Sequence, residues 1–184
     1  FTFVLFLSSI FSLEVDLLLK HINHHLSIID VGCGGGTFLS LFPDKFSKIG
    51  TDYDEVAVRE ALNNGIQCYK GDFLDLDINE APLDIIIFRG VIEHVTNPKL
   101  TLEKASQMLS NEGLLYITST PNLDSVCAEV YRGNWNLVGP DHLFYFNESI
   151  LSGILNQNDM YLIAEHHFYE ETPYKNHNTD YDIL

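Results

Sequence analysis

Apolar runs and amphipathic segments alternate along most of the chain. The apolar runs have the length and the residue types of buried strands, and they cover residues 27–31, 48–52, 68–70, 83–88 and 114–119. Segments with helical spacing lie before and between them, at residues 13–22, 37–42 and 54–63. Such an alternation of strand and helix predicts a parallel sheet with helices on both faces.

The second half of the chain carries the clearest helix boundaries. Asn97 is a favoured N-cap residue, Pro98 suits the first helical position, and Gly113 marks the end of the helix. A last helix is predicted at residues 147–155 and a final strand at residues 161–169. The predicted fold class is therefore α/β, with a Rossmann-like, doubly wound and mostly parallel sheet.

The domain organisation follows from what does not interrupt the pattern. The sequence has no internal repeat, linker or charge block, so we expect one domain over residues 1–184. Residues 121–145 break the alternation, and long irregular stretches in compact domains are typically lids or binding segments. We therefore predict a substrate lid at residues 121–145 and a polar tail at residues 170–184.

The chain begins with an apolar stretch at residues 1–11. This stretch is too short to span a bilayer, and it lacks the basic region and the cleavage site of a signal peptide. We expect it to form the buried first turn of a helix, and we predict no membrane span. Because the first residue is Phe1 rather than Met, we also expect a fragment of a longer protein.

Composition and charge exclude several classes of protein. Hydrophobic residues make up 46% of the chain, which is too many for a mainly disordered protein. The 10 Lys and Arg residues against 26 Asp and Glu residues give a net charge of -16, which repels nucleic acid and anionic lipid. The 3 cysteines are scattered and form no CxxC motif, which favours a reducing, cytoplasmic location.

A glycine-rich loop at residues 30–36 follows the first predicted strand, where doubly wound sheets bind ligands. Glycine lets a ligand approach the backbone, and the N–H groups that open the next helix favour a carboxylate or phosphate. Asp52 ends the next strand and is placed to accept hydrogen bonds from two ribose hydroxyls. Thr37 stands where a dinucleotide fingerprint has its third glycine, so the loop favours a ligand with an amino-acid end, whose ammonium Asp30 could offset.

Six motifs follow one another along the chain: IIDVGCGGGTF, IGTDYD, KGDFLDLD, LDIIIFRGVIEHVTNP, LLYITSTPN and GPDHLFYFNESIL. In this order they resemble the motifs of class I S-adenosylmethionine-dependent methyltransferases, above all the subgroup that includes ubiquinone-biosynthesis-type O-methyltransferases. The resemblance covers about residues 13–169, and it implies the class I methyltransferase fold and S-adenosylmethionine as cofactor. Sheets of that family end with two further strands. Only residues 161–169 offer one here, so we expect the last strand to be missing or irregular.

The resemblance also implies a role for each residue of the cofactor site. The residues that would line the aminocarboxypropyl end of the cofactor are Asp30, Gly32, Cys33, Gly34 and Gly36. Asp52 would hold the ribose, with Tyr53 beside the adenine. Asp72 and Phe73 would meet the edge and the face of the adenine, and Arg89 would lie near the methionine part. Ordinary packing is an equal alternative for Tyr53 and Phe73.

Two histidines are the candidate catalytic residues. A hydroxyl acceptor loses a proton when it is methylated, and imidazole is a common base because it titrates near neutral pH. His94 follows the fourth strand at the carboxyl edge of the sheet, and His142 lies in the predicted lid. A structural role is an equal alternative for each. In ubiquinone-type relatives a Glu-x-x-Glu-His run is associated with a divalent metal, but Gly90 replaces the first Glu before Glu93 and His94, so we predict no metal.

The sequence therefore predicts a methyltransferase that acts on a small-molecule acceptor, with a hydroxyl as the favoured target. The lid has no basic cluster, which disfavours a polyanionic acceptor, and phenols, carboxylates and sugar-like hydroxyls stay open. A catalytically inactive cofactor-binding protein or partner subunit is one alternative. An NAD(P)-dependent oxidoreductase is another, disfavoured by Thr37 and by the lack of a Tyr-x-x-x-Lys pair.

Overall fold

The computed structural model describes residues 2–22, 27–135 and 137–165. The chain divides into two compact units. One is His25–Tyr161, and the other comprises Phe1–His24 and Leu162–Leu184. One functional domain over residues 1–184 stays a prediction.

A long helix, α1 (Thr2–Lys20), accounts for most of what is described of the second unit. The helix predicted from residue 13 thus begins earlier, and the described part of the apolar stretch 1–11 is helical. Within residues 2–22, 27–135 and 137–165, no helix combines the length and the apolar character needed to cross a membrane.

The unit His25–Tyr161 contains a five-stranded sheet. Its strands are β1 (Ser27–Val31), β2 (Ser47–Asp52), β3 (Gln67–Lys70), β4 (Leu83–Arg89) and β5 (Leu109–Thr118). Their spatial order is β3-β2-β1-β4-β5, and all neighbouring strands run parallel. This confirms the predicted Rossmann-like parallel sheet. The strand order reverses between β1 and β4, and such a switch point opens a ligand crevice at the carboxyl ends of the strands.

Helices connect most of the consecutive strands, and side chains cap several of them. The helices of this unit are α2 (Thr37–Ser40), α3 (Glu55–Asn63), α4 (Pro98–Met108), α5 (Val126–Tyr131), a 3₁₀ helix at Arg132–Asn134, and α6 (Glu148–Asn156). The predicted cap at Asn97 is confirmed, because its Oδ1 accepts a hydrogen bond from the Leu100 N–H at 3.1 Å. Asp54 caps α3 in the same way. Each cap stabilises its helix by about 1 kcal/mol.

The core centres on the middle strand, β1, and its neighbour β4. Ile28 and Ile29 on β1, and Ile85, Ile86 and Ile87 on β4, are completely buried. Branched side chains of this kind suit a parallel sheet that is covered on both faces, and each buried one contributes roughly 1.5–3 kcal/mol to folding. The carboxyl ends of β1 and β4 are therefore held by the best-packed part of the unit.

The end of α4 differs from the prediction. The helix ends at Met108 and β5 begins at once at Leu109, so Gly113 is a strand residue and does not follow the helix. The register between β4 and β5 shifts next to this glycine. A Cβ on Gly113 would lie 3.0 Å from the carbonyl oxygens of Leu83 and Ser110. Glycine is present because two backbone segments approach closely at a strand irregularity.

The C-terminal predictions are tested only in part. Residues 161–165 form neither helix nor strand, so the predicted strand 161–169 is wrong over that part. Residues 166–169 and the predicted tail at residues 170–184 lie outside the described residues. The segment 121–145 is mostly irregular, as predicted, but contains α5 and the 3₁₀ helix.

Candidate functional site

Hydrogen bonds to β2 hold the glycine-rich loop at the carboxyl end of β1. The N–H groups of Gly32 and Cys33 donate to the Thr51 carbonyl oxygen at 2.8 and 3.0 Å. The Gly34 N–H donates to Oδ2 of Asp52 at 2.9 Å. The loop backbone is thus fixed by the strand on which the predicted ribose acceptor lies.

Three glycines of the loop have left-handed backbone conformations, with φ values of 72° at Gly32, 55° at Gly34 and 79° at Gly36. At Gly36 a Cβ would lie 2.9 Å from a side-chain carbon of Ile66, so the loop packs closely there. At Gly34 a Cβ would meet nothing within 4 Å. Open space therefore borders the backbone at Gly34, which is the condition for close approach of a ligand.

Acidic side chains lie on both strands next to the loop. Asp52 accepts from the Gly34 N–H through Oδ2 and from the Asp54 N–H through Oδ1, at 2.9 Å in each case. A carboxylate offers about four acceptor sites, so Asp52 can still accept hydrogen bonds from a ligand. Asp30 is on β1, immediately before the loop, and its side chain is buried.

The residues predicted to meet an adenine lie after β2 and β3. The Tyr53 hydroxyl donates to Oδ2 of Asp72 at 2.7 Å, and Tyr53 is largely exposed. Partial burial of the hydroxyl and its hydrogen bond to Asp72 raise the pKa of Tyr53 to about 12. Phe73 is 3% exposed and packs edge-on against Phe88, with 5.6 Å between ring centroids. Core packing thus accounts for the ring of Phe73, whereas Tyr53 and Asp72 face solvent.

Arg89 ends β4 at the same edge of the sheet. Its guanidinium carbon lies 5.7 Å from the centroid of the Phe38 ring, in a cation–π contact. Phe38 belongs to α2, the helix that follows the glycine loop. The contact connects the carboxyl end of β4 with the helix that begins at the loop.

Glu93 organises the segment that follows β4. Its side chain is 1% exposed, and Oε2 accepts a hydrogen bond from the Thr120 hydroxyl at 3.0 Å. Its backbone carbonyl accepts from the N–H groups of Leu143 and Phe144 at 2.8 and 3.1 Å. The segment 121–145 is therefore tied to the loop after β4 at the level of the backbone.

The two candidate histidines, His94 and His142, lie side by side although they are far apart in the sequence. The ring centroids of His94 and His142 are 4.7 Å apart. Nδ1 of His94 lies 2.6 Å from the Asp141 carbonyl oxygen. Because a carbonyl oxygen only accepts, Nδ1 of His94 donates this hydrogen bond, and Nε2 lies 3.9 Å from Oε1 of Glu93. Nδ1 of His142 is buried and has no hydrogen-bond partner within the described part of the chain.

Glu93, His94 and His142 are also a group of metal-ligand types, with donor atoms that all lie within 4.8 Å of one another. Bonds of about 2.0 Å to a tetrahedral ion would place neighbouring donors about 3.3 Å apart. The 3.9 Å between Glu93 and His94 exceeds that separation, and Thr120 already occupies one oxygen of Glu93. Glu93 and His94 would have to move closer together to share a tetrahedral ion, and the absence of a metal stays a prediction.

Sequence reasoning missed several partners of these residues. Thr120 binds the side chain of Glu93, and the Asp141 carbonyl binds His94. The only sequence signal for these two partners was that Thr120 precedes the predicted lid and Asp141 lies in it. The cysteines are less scattered than predicted, because Sγ of Cys33 lies 3.6 Å from Sγ of Cys68. Contacts of this kind depend on how the strands and loops are placed in space, which local patterns do not encode.

Comparison with known proteins finds methyltransferases among the relatives of the chain. A family model for a methyltransferase domain matches residues 6–165. A ubiquinone biosynthesis O-methyltransferase of Chelativorans sp. is 32% identical over 101 residues, which are 51% of this chain and 40% of that protein. A ribosomal protein L11 methyltransferase of Clostridium botulinum is 30% identical over 148 residues, which cover 67% of this chain and 45% of that protein. The chain thus spans less than half the length of these two curated relatives.

Solved structures share the fold. The plantazolicin methyltransferase BpumL in complex with SAH superposes with a TM-score of 0.63 at 21% identity, covering 80% of this chain and 60% of that chain. A likeness at this identity concerns the arrangement of the strands and helices. It agrees with the five-stranded parallel sheet and its helices.

Proposed function

Because the chain belongs to the methyltransferase-domain family, we propose that it takes the methyl group of S-adenosylmethionine and transfers it to a small-molecule acceptor. A hydroxyl oxygen is the proposed target atom. The observation that carries the proposal is the open space at Gly34, next to the Asp52 carboxylate and at the carboxyl edge of the sheet. A ligand in that space could approach the loop backbone closely, and Asp52 could accept hydrogen bonds from its hydroxyl groups. A nucleoside with an amino-acid end requires both features.

The proposed contacts follow the chemistry of the cofactor, which carries an ammonium, a carboxylate, a sulfonium and a ribose with two hydroxyls. The residues proposed to contact it are Asp30, Gly32, Cys33, Gly34, Gly36, Asp52, Tyr53, Asp72, Phe73 and Arg89. Asp30 suits the ammonium, and Asp52 has acceptor capacity left for the ribose. For Phe73 the proposed contact is made by the backbone, because its ring is buried in the core.

The histidine pair supplies the proposed proton acceptor. Methyl transfer from a sulfonium is an in-line displacement, so alignment of the acceptor accounts for much of the rate. A hydroxyl acceptor also gives up its proton, and Nε2 of His94, whose Nδ1 donates to the Asp141 carbonyl oxygen, is proposed to take it. The ring centroids of His94 and His142 are 4.7 Å apart, and Nδ1 of His142 has no hydrogen-bond partner among the described residues. This nitrogen is proposed to hold the same hydroxyl.

The segment 121–145 is proposed to cover the acceptor. It is fixed to the loop after β4 by the bonds to the Glu93 carbonyl, and it carries His142 to the side of His94. Several large apolar side chains of this segment are exposed: Leu123, Val126, Val130, Tyr131, Val138, Leu143 and Phe144. Apolar side chains predominate in the lining of small-molecule sites, so these residues support a small-molecule acceptor.

The charge of the chain and its free thiols support the proposed partner class and cellular location. The net charge of -16 supports a partner other than nucleic acid. Cys33, Cys68 and Cys127 are free thiols, which supports the proposed cytoplasmic location.

Titration calorimetry with S-adenosylmethionine, S-adenosylhomocysteine and NAD tests the cofactor assignment. We expect the first two to bind and NAD not to bind. Binding of NAD without binding of S-adenosylmethionine would overturn the proposal in favour of an oxidoreductase. The relatives differ in the acceptor that their names give, one being an O-methyltransferase and another a methyltransferase of a ribosomal protein, so the acceptor needs a separate screen.

A further inference from the structure

Two cysteine thiols from separate elements lie together beside the glycine loop. Cys33 follows β1 within the loop, and Cys68 lies on β3, with β2 between them in the sheet. Their sulfur atoms are 3.6 Å apart, and both thiols are free. The same sulfur atoms make only weak contacts with neighbouring carbonyl oxygens, at 3.3 Å from Cys33 to Gly34 and 4.0 Å from Cys68 to Tyr69.

Gly50 on the intervening strand makes this contact feasible. Gly50 is the register partner of Cys68 across the β2–β3 pair. A Cβ on Gly50 would overlap with Sγ of Cys33 and would lie 3.4 Å from Sγ of Cys68. The two thiols therefore meet in the space that a side chain on the middle strand would occupy.

We propose that Cys33 and Cys68 are a disulfide-forming pair that a low-molecular-weight disulfide such as oxidised glutathione closes, and that closure weakens cofactor binding. The half-buried Cys68 is the entry point, because Cys33 is only 8% exposed. The Cys68 thiolate attacks one sulfur of glutathione disulfide and releases one glutathione thiolate. Cys33 then loses its proton, attacks the Cys68 sulfur of the mixed disulfide and releases the second glutathione. Two protein thiols are oxidised to one disulfide, and one disulfide is reduced to two thiols.

Closure would move the glycine loop. A disulfide requires a sulfur–sulfur distance of about 2.05 Å, so the two sulfurs must approach from 3.6 Å. Cys33 stands between Gly32 and Gly34, and the Gly34 N–H bond to Asp52 belongs to the proposed cofactor site. The effect on the cofactor rests on the proposed function, whereas formation of the disulfide does not.

The pKa values of the two thiols determine the pH at which the exchange is best tested. Burial raises the pKa of Cys33, and the neighbouring Cys68, Asp30 and Asp52 raise it further. Burial likewise raises the pKa of Cys68. Because only the thiolate reacts, the exchange is slow at neutral pH and is best followed at a higher pH.

The test compares the wild-type chain with Cys68→Ser and, as a matched control, Cys127→Ser, whose thiol lies on α5. Each folded protein is incubated with oxidised glutathione, and its intact mass and its alkylatable thiols are measured. We expect wild type and Cys127→Ser to lose two hydrogens without a retained glutathione, and Cys68→Ser to form no internal disulfide. A stable glutathione adduct on Cys33 or Cys68, or unchanged thiols at both, in the folded Cys127→Ser protein would overturn the proposed pair.

The second readout is the affinity for S-adenosylmethionine, measured by calorimetry before and after oxidation. We expect the dissociation constant of the wild type to rise about tenfold or more, because the loop is displaced by an ångström or more. Cys68→Ser should keep its affinity after the same treatment. Equal affinity of the oxidised and reduced wild type would overturn the regulatory effect. Failure of the reduced protein to bind the cofactor would overturn the proposed function instead, while the mass measurement still decides on the disulfide.

Discussion

At the residue scale, Asp52 joins the sheet to the glycine loop. Its two oxygens accept from the N–H groups of Gly34 and Asp54, on either side of the strand end. These bonds leave acceptor capacity on the carboxylate, which lies beside Gly34, where a Cβ would meet open space. One short side chain therefore shapes the loop and, in the proposed function, also binds the ribose.

Replacement of Asp52 tests whether this carboxylate, rather than the overall negative charge of the chain, is needed for cofactor binding. Asp52→Asn keeps the shape of the side chain but removes its charge and half of its acceptor capacity. We expect the affinity for S-adenosylmethionine to fall by about 10- to 100-fold, since hydrogen bonds to charged groups contribute about 1.5–3 kcal/mol. Calorimetry measures this change. Asp44→Asn, at an exposed acid paired with Lys48, is the control and should bind normally.

Replacement of the histidines tests the proposed chemistry. His94→Gln removes the lone pair of Nε2, so turnover should fall by about 100-fold or more while the affinity for S-adenosylmethionine stays unchanged. His142→Gln should also reduce turnover. Release of S-adenosylhomocysteine gives the rates, and His21→Gln, at the end of α1, is the control. Wild-type turnover in both active-site variants would show that the pair has only a structural role.

At the element scale, strands and caps follow local patterns, whereas irregularities do not. The sequence predicted all of the strands of the sheet to within a few residues, because β-branched runs bounded by glycine or polar residues leave few alternatives. It placed Gly113 after a helix because glycine commonly ends helices. The reason for Gly113 is instead the approach of Leu83 and Ser110 from neighbouring backbone segments, which depends on strand register.

This interpretation of Gly113 is open to measurement. In Gly113→Ala the new methyl group would lie 3.0 Å from two carbonyl oxygens, so we expect the free energy of unfolding to drop by about 1–3 kcal/mol. Urea denaturation followed by circular dichroism measures the change. Gly139→Ala is the matched control, because a Cβ there meets nothing within 4 Å. Equal stability of the two variants would contradict the close approach at Gly113.

The helix α6 offers a change in the opposite direction. Gly153 lies inside this helix, and a Cβ there would meet nothing within 4 Å. Gly153→Ala should therefore raise the free energy of unfolding by about 0.5–1 kcal/mol, because alanine is the better helix former. The same urea titration measures it. A loss of stability would contradict the open space around a Cβ at position 153.

At the scale of the whole molecule, the site is assembled from segments that are distant in sequence. The glycine loop and Asp52 were predictable because each lies at a strand end within one recurring motif. The pairing of His94 with His142 and of Cys33 with Cys68 was not, because each depends on how separate segments meet across the sheet edge. Local periodicity carries no information on such meetings, and a single sequence offers no other signal for them.

The expected independence of metal also belongs to this scale. Treatment with EDTA followed by dialysis should leave cofactor affinity and turnover unchanged, since Nε2 of His94 and Oε1 of Glu93 are 3.9 Å apart, farther than neighbouring ligands of a tetrahedral ion. Calorimetry and the turnover assay measure both quantities. A loss of turnover that Mg²⁺ or Zn²⁺ restores would show that the three side chains close around a metal.

Transfer of a methyl group is the most direct test of the proposed function. The purified chain is incubated with S-adenosylmethionine labelled in its methyl group and with phenols, carboxylates, sugars and amines as separate acceptors. We expect the label to appear on a small-molecule hydroxyl together with an equal amount of S-adenosylhomocysteine, and this transfer to be much reduced in His94→Gln. Binding of S-adenosylmethionine with no label on any acceptor would contradict the proposed small-molecule methylation and favour a cofactor-binding protein without catalysis.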